Sequence, residues 1–214
     1  MTTQLDIYNG ALRLCKSRNL IALTDNTESR RLLDAAWGDG LTRGAVRYCL
    51  EAGQWTFATR TLQIEVDPNI SPLFGYRYAF QQPTDMVRPA GVFQDEMCSV
   101  PLLDYSDERR YWFAHIETIW VKVISNLPEY GGDMSLWPEM FGKMVEAYLA
   151  NEIIANLTHG NAQDIQIVQR NWMEAKREAK SMDAMNKPTT FLPTGKWNMA
   201  RSNGYRNRDR GYRN

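Results

Sequence analysis

The sequence predicts an α+β protein in which a four-helix body is split by a small antiparallel β insert and followed by an extended C-terminal arm. Three observations predict this order. Apolar residues recur every three or four positions in the two flanking segments, they alternate with polar residues in the middle, and periodicity ends near Lys187. The segments are the first helical half (1–54), the β-rich insert (55–130), the second helical half (131–186) and the arm (187–214).

Two helices are predicted in the first segment. The first runs from about Thr3 to Ser17, with Thr2 or Thr3 as its N-cap. The second is expected from about Asp25 to Ala52, with Asp25 at its start and Gly53 just after its end. Three internal glycines each cost roughly 1 kcal/mol of helix propensity relative to Ala. They indicate a bend or close packing within this helix, at Gly38, Gly40 and Gly44.

The middle segment predicts a meander of five or six short antiparallel strands. Apolar and polar residues alternate around Ile64, and a turn follows at Asp67-Pro68-Asn69. Four further strands are expected, at Tyr76–Phe80, Val87–Phe93, Ser99–Leu103 and Tyr111–Ile124. The last is preceded by a charged turn, Asp104–Arg110.

Helical spacing returns after residue 131. Ser135 is the expected N-cap of the third helix, and Pro138 is tolerated because it falls in the first turn. This helix is expected to end near His159-Gly160, and a fourth helix runs from about Ala162 to Met185. Two helices therefore precede the predicted strands and two follow them.

Charge is segregated although the formal net charge is zero. Residues 187–214 contain seven Lys or Arg and one acidic residue, a net +6, so residues 1–186, with 18 basic and 24 acidic side chains, carry −6. The arm is rich in Asn, Arg, Gly and Tyr with almost no aliphatic residues, so it cannot bury enough surface to order itself. Such segregation indicates an electrostatic partner.

The composition and motifs argue against several classes. Hydrophobic content of 43% and charged content of 23% are typical of a soluble globular protein. Neither a membrane span nor a signal peptide is indicated, so we expect a protein that is made and stays in the cytoplasm. Common nucleotide-binding, hydrolase and metal-binding motifs are missing from the sequence, and the three cysteines lack metal or redox spacing. We therefore predict a structural binding protein, not an enzyme, with no cofactor and no metal.

The arm allows three interpretations. Arg and Tyr interspersed with Gly are typical of segments that bind single-stranded nucleic acid. Tyr, Trp and Arg are also the preferred anchors of an arm that lies against a protein partner. A merely solubilising tail is the third interpretation, but large aromatic residues make it less favourable. The candidate binding residues are Trp197, Arg201, Tyr205, Arg206, Arg208, Arg210, Tyr212 and Arg213.

Several strings, in their order and spacing over roughly residues 5 to 160, resemble a known family. They are Ala11-Leu12-Arg13-Leu14, Arg30-Arg31-Leu32-Leu33 with Trp37, Leu50-Glu51-Ala52-Gly53-Gln54-Trp55-Thr56-Phe57-Ala58, Tyr76 to Phe80 leading into Pro83-Thr84-Asp85-Met86-Val87-Arg88, and Ala147-Tyr148-Leu149-Ala150. Together they resemble the head-to-tail adaptor (connector) proteins of tailed bacteriophages, of the kind called tail tubular protein A in short-tailed phages.

The resemblance implies a ring, typically of twelve copies, between the portal protein and the tail or nozzle protein of a virion. DNA would pass through its channel without specific binding, and no membrane would be involved. On this basis the arm is expected to bind the portal, and Arg88 to pair with Asp85 or with a neighbouring subunit. A nucleic-acid-binding accessory protein that uses the arm is the alternative. A cell-wall hydrolase is less favoured because paired catalytic carboxylates are not recognisable in the sequence.

Overall fold

A computed structural model describes residues 3–39, 43–157 and 161–186. Within these ranges the chain has five α-helices and two three-stranded antiparallel sheets, about 44% helix and 20% strand. This is an α+β fold, but the prediction of a four-helix body with a small β insert is wrong. The helices are α1 (Gln4–Leu14), α2 (Glu28–Trp37), α3 (Ala45–Glu51), α4 (Glu139–Leu157) and α5 (Ala162–Asn186). The strands are β1 (Thr59–Glu65), β2 (Tyr78–Gln81), β3 (Met86–Phe93), β4 (Ser106–Glu108), β5 (Tyr111–Ala114) and β6 (Thr118–Ser125).

The extra helix arises because the predicted second helix is divided. Gly38 has φ 69° and donates its N–H to the carbonyl of Asp34 at 3.1 Å, which ends α2. Gly44 has φ 115° and immediately precedes α3, and a β-carbon there would overlap the carbonyl oxygen of Trp37. Both glycines therefore occupy backbone conformations that other residues rarely adopt, so they break the helix where a bend or close packing was predicted.

The helix starts are only partly as predicted. Thr3 caps α1, and its side chain and the Asp6 carboxylate form a reciprocal capping box. Thr27, not Asp25, caps α2 by accepting a hydrogen bond from the Arg30 N–H. The predicted cap Ser135 lies instead in a 3₁₀ turn ahead of α4.

The β region is not a meander. The first sheet has the strand order β1-β6-β3 and the second has β2-β5-β4, so β6 is the centre of one sheet and β5 the centre of the other. The predicted strand at 99–103 contributes only a single bridge, between Phe93 and Pro101. The predicted charged turn at 104–110 contains β4, which forms a hairpin with β5 around Arg109 and Arg110.

Two hydrophobic cores hold these layers together. In the β region, side chains from both sheets share one core, so the sheets pack face to face as a small sandwich. The buried residues of this core are Phe80, Val92, Leu102, Trp112, Ala114, Ile119, Val121 and Val123. In the helical region α4 contacts the other four helices and buries residues on several faces. Val87 and Ile124 belong to the helical core, so β3 and β6 reach from the sandwich into the helices.

Candidate functional site

The predicted site residues fall into two groups. The eight arm residues, Trp197, Arg201, Tyr205, Arg206, Arg208, Arg210, Tyr212 and Arg213, lie outside the described residues. Asp85 immediately precedes β3 and Arg88 is the third residue of β3, where the sandwich meets the helices. Only this second group can be placed structurally.

Asp85 is the centre of a polar contact between three strand ends. Its Oδ2 accepts hydrogen bonds from Arg60 Nη1 at 2.8 Å and from Ser125 Oγ at 2.6 Å. The side chain of Asp85 is 11% exposed, and Ser125 is buried. Burial alone would raise the pKa of Asp85, but the hydrogen bonds from Ser125 and Arg60 outweigh it and hold the pKa below its ordinary value. The carboxylate is therefore a fixed anion that joins β1, β3 and β6.

Arg88 has a different partner from the one expected. Its Nη1 donates to the carbonyl oxygen of Glu51, the last residue of α3, at 2.9 Å. A cation at this position suits the unpaired carbonyls and the negative dipole end of a helix. The predicted Asp85–Arg88 pair is thus replaced by Asp85–Arg60 and Arg88–Glu51, and a contact with a neighbouring subunit stays a prediction.

Both contacts make this corner a joint inside one chain. Arg88 ties β3 to α3, and Asp85 ties the strands to each other next to the buried Ile124 and Val87. Because Asp85 already has two partners and little exposure, it has little capacity left for a ligand. The corner positions the sandwich relative to the helices.

A second surface, at the opposite end of the sandwich, exposes large apolar side chains. We call it the distal tip; it comprises the β1–β2 loop (66–77) and the β3–β4 loop (94–105). Both loops leave the first sheet at the same end of its strands, since the ends of β1 and β3 pair with the start of β6. The exposed apolar residues are Leu73 (100%), Leu103 (85%), Met97 (84%), Val100 (49%) and Phe74 (43%).

Specific contacts fix the two tip loops to each other and to the sandwich. Tyr76 Oη donates to Asp104 Oδ1 at 3.1 Å, which joins the β1–β2 loop to the β3–β4 loop. Phe74 packs edge-on against Phe113 of β5, with ring centroids 5.0 Å apart. Beside the tip, Tyr78 Oη of β2 donates to Glu117 Oε1 of the β5–β6 turn at 3.0 Å, and this hydrogen bond raises the pKa of Tyr78. The apolar side chains therefore project from an ordered frame.

Asp95 organises the part of the tip that carries Met97. Its carboxylate accepts hydrogen bonds from Ser99 Oγ at 2.6 Å and from the Val100 N–H at 2.7 Å, and its carbonyl accepts from the Cys98 N–H at 3.0 Å. Cys98 adopts φ 51° inside this turn. The hydrogen bond from Ser99 is the main cause that holds the pKa of Asp95 below its ordinary value. Met97 is thus presented by a closed turn with internal partners.

Sequence reasoning did not identify the distal tip. The available signal was the placement of large apolar residues between turn-forming residues, as in Ser71-Pro72-Leu73-Phe74-Gly75. A side chain in such a segment cannot follow the period of a strand, so it either folds back or remains exposed. Phe74 folds back on Phe113, whereas Leu73 is fully exposed.

The described residues offer no constellation for metal chemistry. Among them, no group of three or more His, Cys, Asp or Glu could hold a metal ion. None of the helices in the described ranges has the length and apolarity needed to span a bilayer. What the described surface does present is a fixed apolar tip, which is typical of a site for contact with another macromolecule.

Comparisons with protein-family models and with curated proteins give no match to this chain.

Proposed function

We propose that this chain is a structural virion protein that forms the head-to-tail adaptor ring between portal and tail, with a central channel for DNA. The observation that carries the proposal is the distal tip, where Leu73, Met97 and Leu103 are each more than four-fifths exposed on hydrogen-bonded loops. Exposed apolar patches of this kind mark interaction surfaces, and an adaptor ring requires such surfaces between its subunits and toward the tail.

The order of the tip loops supports a binding role. Association costs free energy when side chains and loops must first be ordered. In the tip, the Tyr76–Asp104 and Asp95–Ser99 hydrogen bonds already hold the loops, so less order has to be gained on binding. Exposed Leu and Met then add apolar area, worth roughly 25 cal/mol for each Å² that is buried. A neighbouring subunit or the tail protein is the partner proposed for the tip.

The charge distribution supports the placement of DNA in the channel. Residues 1–186 carry a net −6, and such a body repels phosphate. Since phosphate contacts supply most non-specific affinity for DNA, a channel lined by this body lets DNA slide through. The +6 arm is proposed to bind the portal through its aromatic and arginine residues, from Trp197 to Arg213.

The assembly test measures the mass of the purified chain alone and mixed with its portal protein. We expect a ring on the portal for the natural chain and its loss in the tip variant Leu73→Ser/Leu103→Ser. The matched control is Ile21→Ser/Met173→Ser, which removes two apolar side chains that are 81% and 70% exposed but lie on the helical region. A chain that stays monomeric with and without portal contradicts the proposal, as does equal loss of the ring in both variants.

A deletion tests the role of the arm separately. Removing residues 196–214 is expected to abolish attachment of the ring to DNA-filled heads, and unchanged attachment contradicts portal binding by the arm. If the isolated chain instead binds DNA in a salt-dependent way that this deletion removes, the result favours the nucleic-acid-binding accessory protein.

A further inference from the structure

A groove runs between α4 and α5 on the helical region. It consists of two adjoining cavities of about 310 Å³ each, and both are lined by Met140 and Lys143. The floor is apolar: Trp55, Phe141, Ala179 and Met182 line the first cavity, and Leu14, Ala147 and Ala175 line the second. We call this surface the α4–α5 groove. Its volume suits side chains of a peptide segment better than a single ion.

The rim of the groove is acidic. Glu139 and Asp183 border the first cavity, and Glu146, Glu174 and Glu178 border the second, whereas Lys143 is the cation common to both linings. Lys143 is itself paired with Glu139 at 2.7 Å. The uncompensated charge along the groove is therefore strongly negative, and it favours a basic occupant.

One carboxylate of the rim makes no hydrogen bond within the described part of the chain. Glu146 lies against Gly10 of α1 and makes no hydrogen bond among the described residues. Its burial raises the pKa, although Arg13 and Lys143 act in the opposite direction. A half-buried carboxylate without a hydrogen-bond donor is costly, and a cation in the groove would satisfy it.

The last described residue of the chain lines the groove. Asn186 ends α5 and borders the first cavity, and residues 187–214 follow it directly. Those 28 residues carry a net +6, and their first large apolar residues, Phe191 and Leu192, follow Lys187 and precede Lys196 and Trp197. The apolar pair thus lies within six residues of Asn186 in the sequence, and all five arginines of the segment come later.

The arm is long enough to follow the groove. From Asn186 back to Asn171 the groove extends along α5 for about 22 Å, given the rise of about 1.5 Å per helical residue. An extended chain covers that distance with about seven residues at roughly 3.3 Å each. Docking in the groove requires the chain to reverse direction after α5; the remaining arm residues are enough for this, and Pro188 disfavours continuation of the helix.

We propose that residues 187–214 bind in the α4–α5 groove of their own chain. The groove offers apolar contacts for the Phe191–Trp197 part and carboxylates for the basic residues. Docking within one chain is favoured over exchange with a second copy because the arm starts at the groove and no distance has to be spanned. The docked arm would have to leave the groove before it could bind any other partner, so the groove controls the availability of the arm.

The first experiment measures the rate of tryptic cleavage within the arm of the full chain. We expect Glu174→Lys/Glu178→Lys to accelerate cleavage after Arg201 and Arg206 about tenfold, equivalent to about 1.4 kcal/mol of docking free energy. The matched control, Glu65→Lys/Glu129→Lys, changes the net charge equally at exposed positions outside the groove and should leave the rate unchanged. Equal rates in the natural chain and the groove variant overturn the proposal.

The second experiment identifies which chain the arm occupies. A zero-length carbodiimide reagent is expected to link Lys196 to Glu174 or Glu178 in a mixture of ¹⁵N-labelled and unlabelled chains. Links within chains of a single isotope support docking on the same chain. Links that join the two isotopes, or no links between arm and groove, overturn it. Because no portal protein is present in either experiment, the outcome is independent of the proposed adaptor role.

Discussion

The carboxylate of Asp183, near the end of α5, binds the backbone and side chain of Thr56, 127 residues earlier. Oδ1 accepts from the Thr56 N–H at 2.8 Å, and Oδ2 accepts from its hydroxyl at 3.1 Å. Thr56 begins the 3₁₀ turn that leads into β1, and Asp183 is only 9% exposed. This contact fixes the last helix to the start of the β sandwich.

Replacement of Asp183 by Ala should destabilise the chain by about 1 to 3 kcal/mol, because it leaves the Thr56 N–H without its acceptor in a partly buried position. Urea unfolding followed by circular dichroism measures the change. Arg177→Ala on the same helix, at an exposed position, is the control and should change stability by less than about 0.5 kcal/mol. Equal effects of the two variants would show that the contact contributes little.

The Asp85–Arg60 pair should make stability dependent on pH. The pKa of Asp85 in the folded chain is below its ordinary value of 3.8, so the unfolded state binds more protons as the pH falls. Its contribution is therefore fully present above the unfolded pKa and is lost as the pH falls through the folded pKa. Asp85→Asn is expected to cost about 1 to 2 kcal/mol at pH 7, because it removes charged hydrogen bonds.

Urea unfolding of Asp85→Asn and of the natural chain at pH 7, 5 and 3.5 tests this dependence. The difference between them should be constant from pH 7 to pH 5 and smaller at pH 3.5. Glu65→Gln, at an exposed position on β1, is the control and should show no such trend. A difference that grows toward acid pH would contradict the assignment.

Local signals predicted the helices better than they predicted how the elements are connected in space. Nearby residues are enough to predict the N-cap at Thr3, the helix that starts at Ala162 and the strand around Ile64. The structure has all three close to their predicted positions. The strand order does not follow from local pattern: β1 pairs with β6, about 60 residues away. A meander is the simplest guess when only neighbouring runs are compared.

The hydrogen-bond partners of these charged residues could not be predicted from the sequence either. Asp85 and Arg88 are three residues apart, so a local pair was expected, but Asp85 lies in the turn before β3, and the pairing of β3 with β6 shifts register between Met86 and Arg88. Asp85 faces Arg60 of β1, and Arg88 reaches the end of α3. The distal tip was missed for a related reason, because exposure of Leu73 depends on which side chains fold back beside it.

Gly44 at the break between α2 and α3 and Gly75 in the β1–β2 loop should respond differently to replacement by Ala. Gly44→Ala should destabilise the chain by more than about 1 kcal/mol, since φ 115° is unfavourable for Ala and the new β-carbon would overlap the Trp37 carbonyl. Gly75→Ala places its β-carbon in open space and should be neutral or stabilise by up to about 1 kcal/mol. Thermal unfolding compares the two variants, and similar losses in both would contradict the role given to Gly44.

Glu146 should destabilise the folded chain when it is ionised. Its burial raises the pKa, so the folded state binds more protons than the unfolded state, and stability falls as the pH rises from the unfolded to the folded pKa. Glu146→Gln removes that cost, so the variant should be more stable than the natural chain at pH 7 and equal to it near pH 3.5. Urea unfolding in about 1 M salt measures the difference, because the Debye length of about 3 Å then weakens any docking of the basic arm. A less stable variant at pH 7 would show that the Glu146 carboxylate has a favourable partner when ionised.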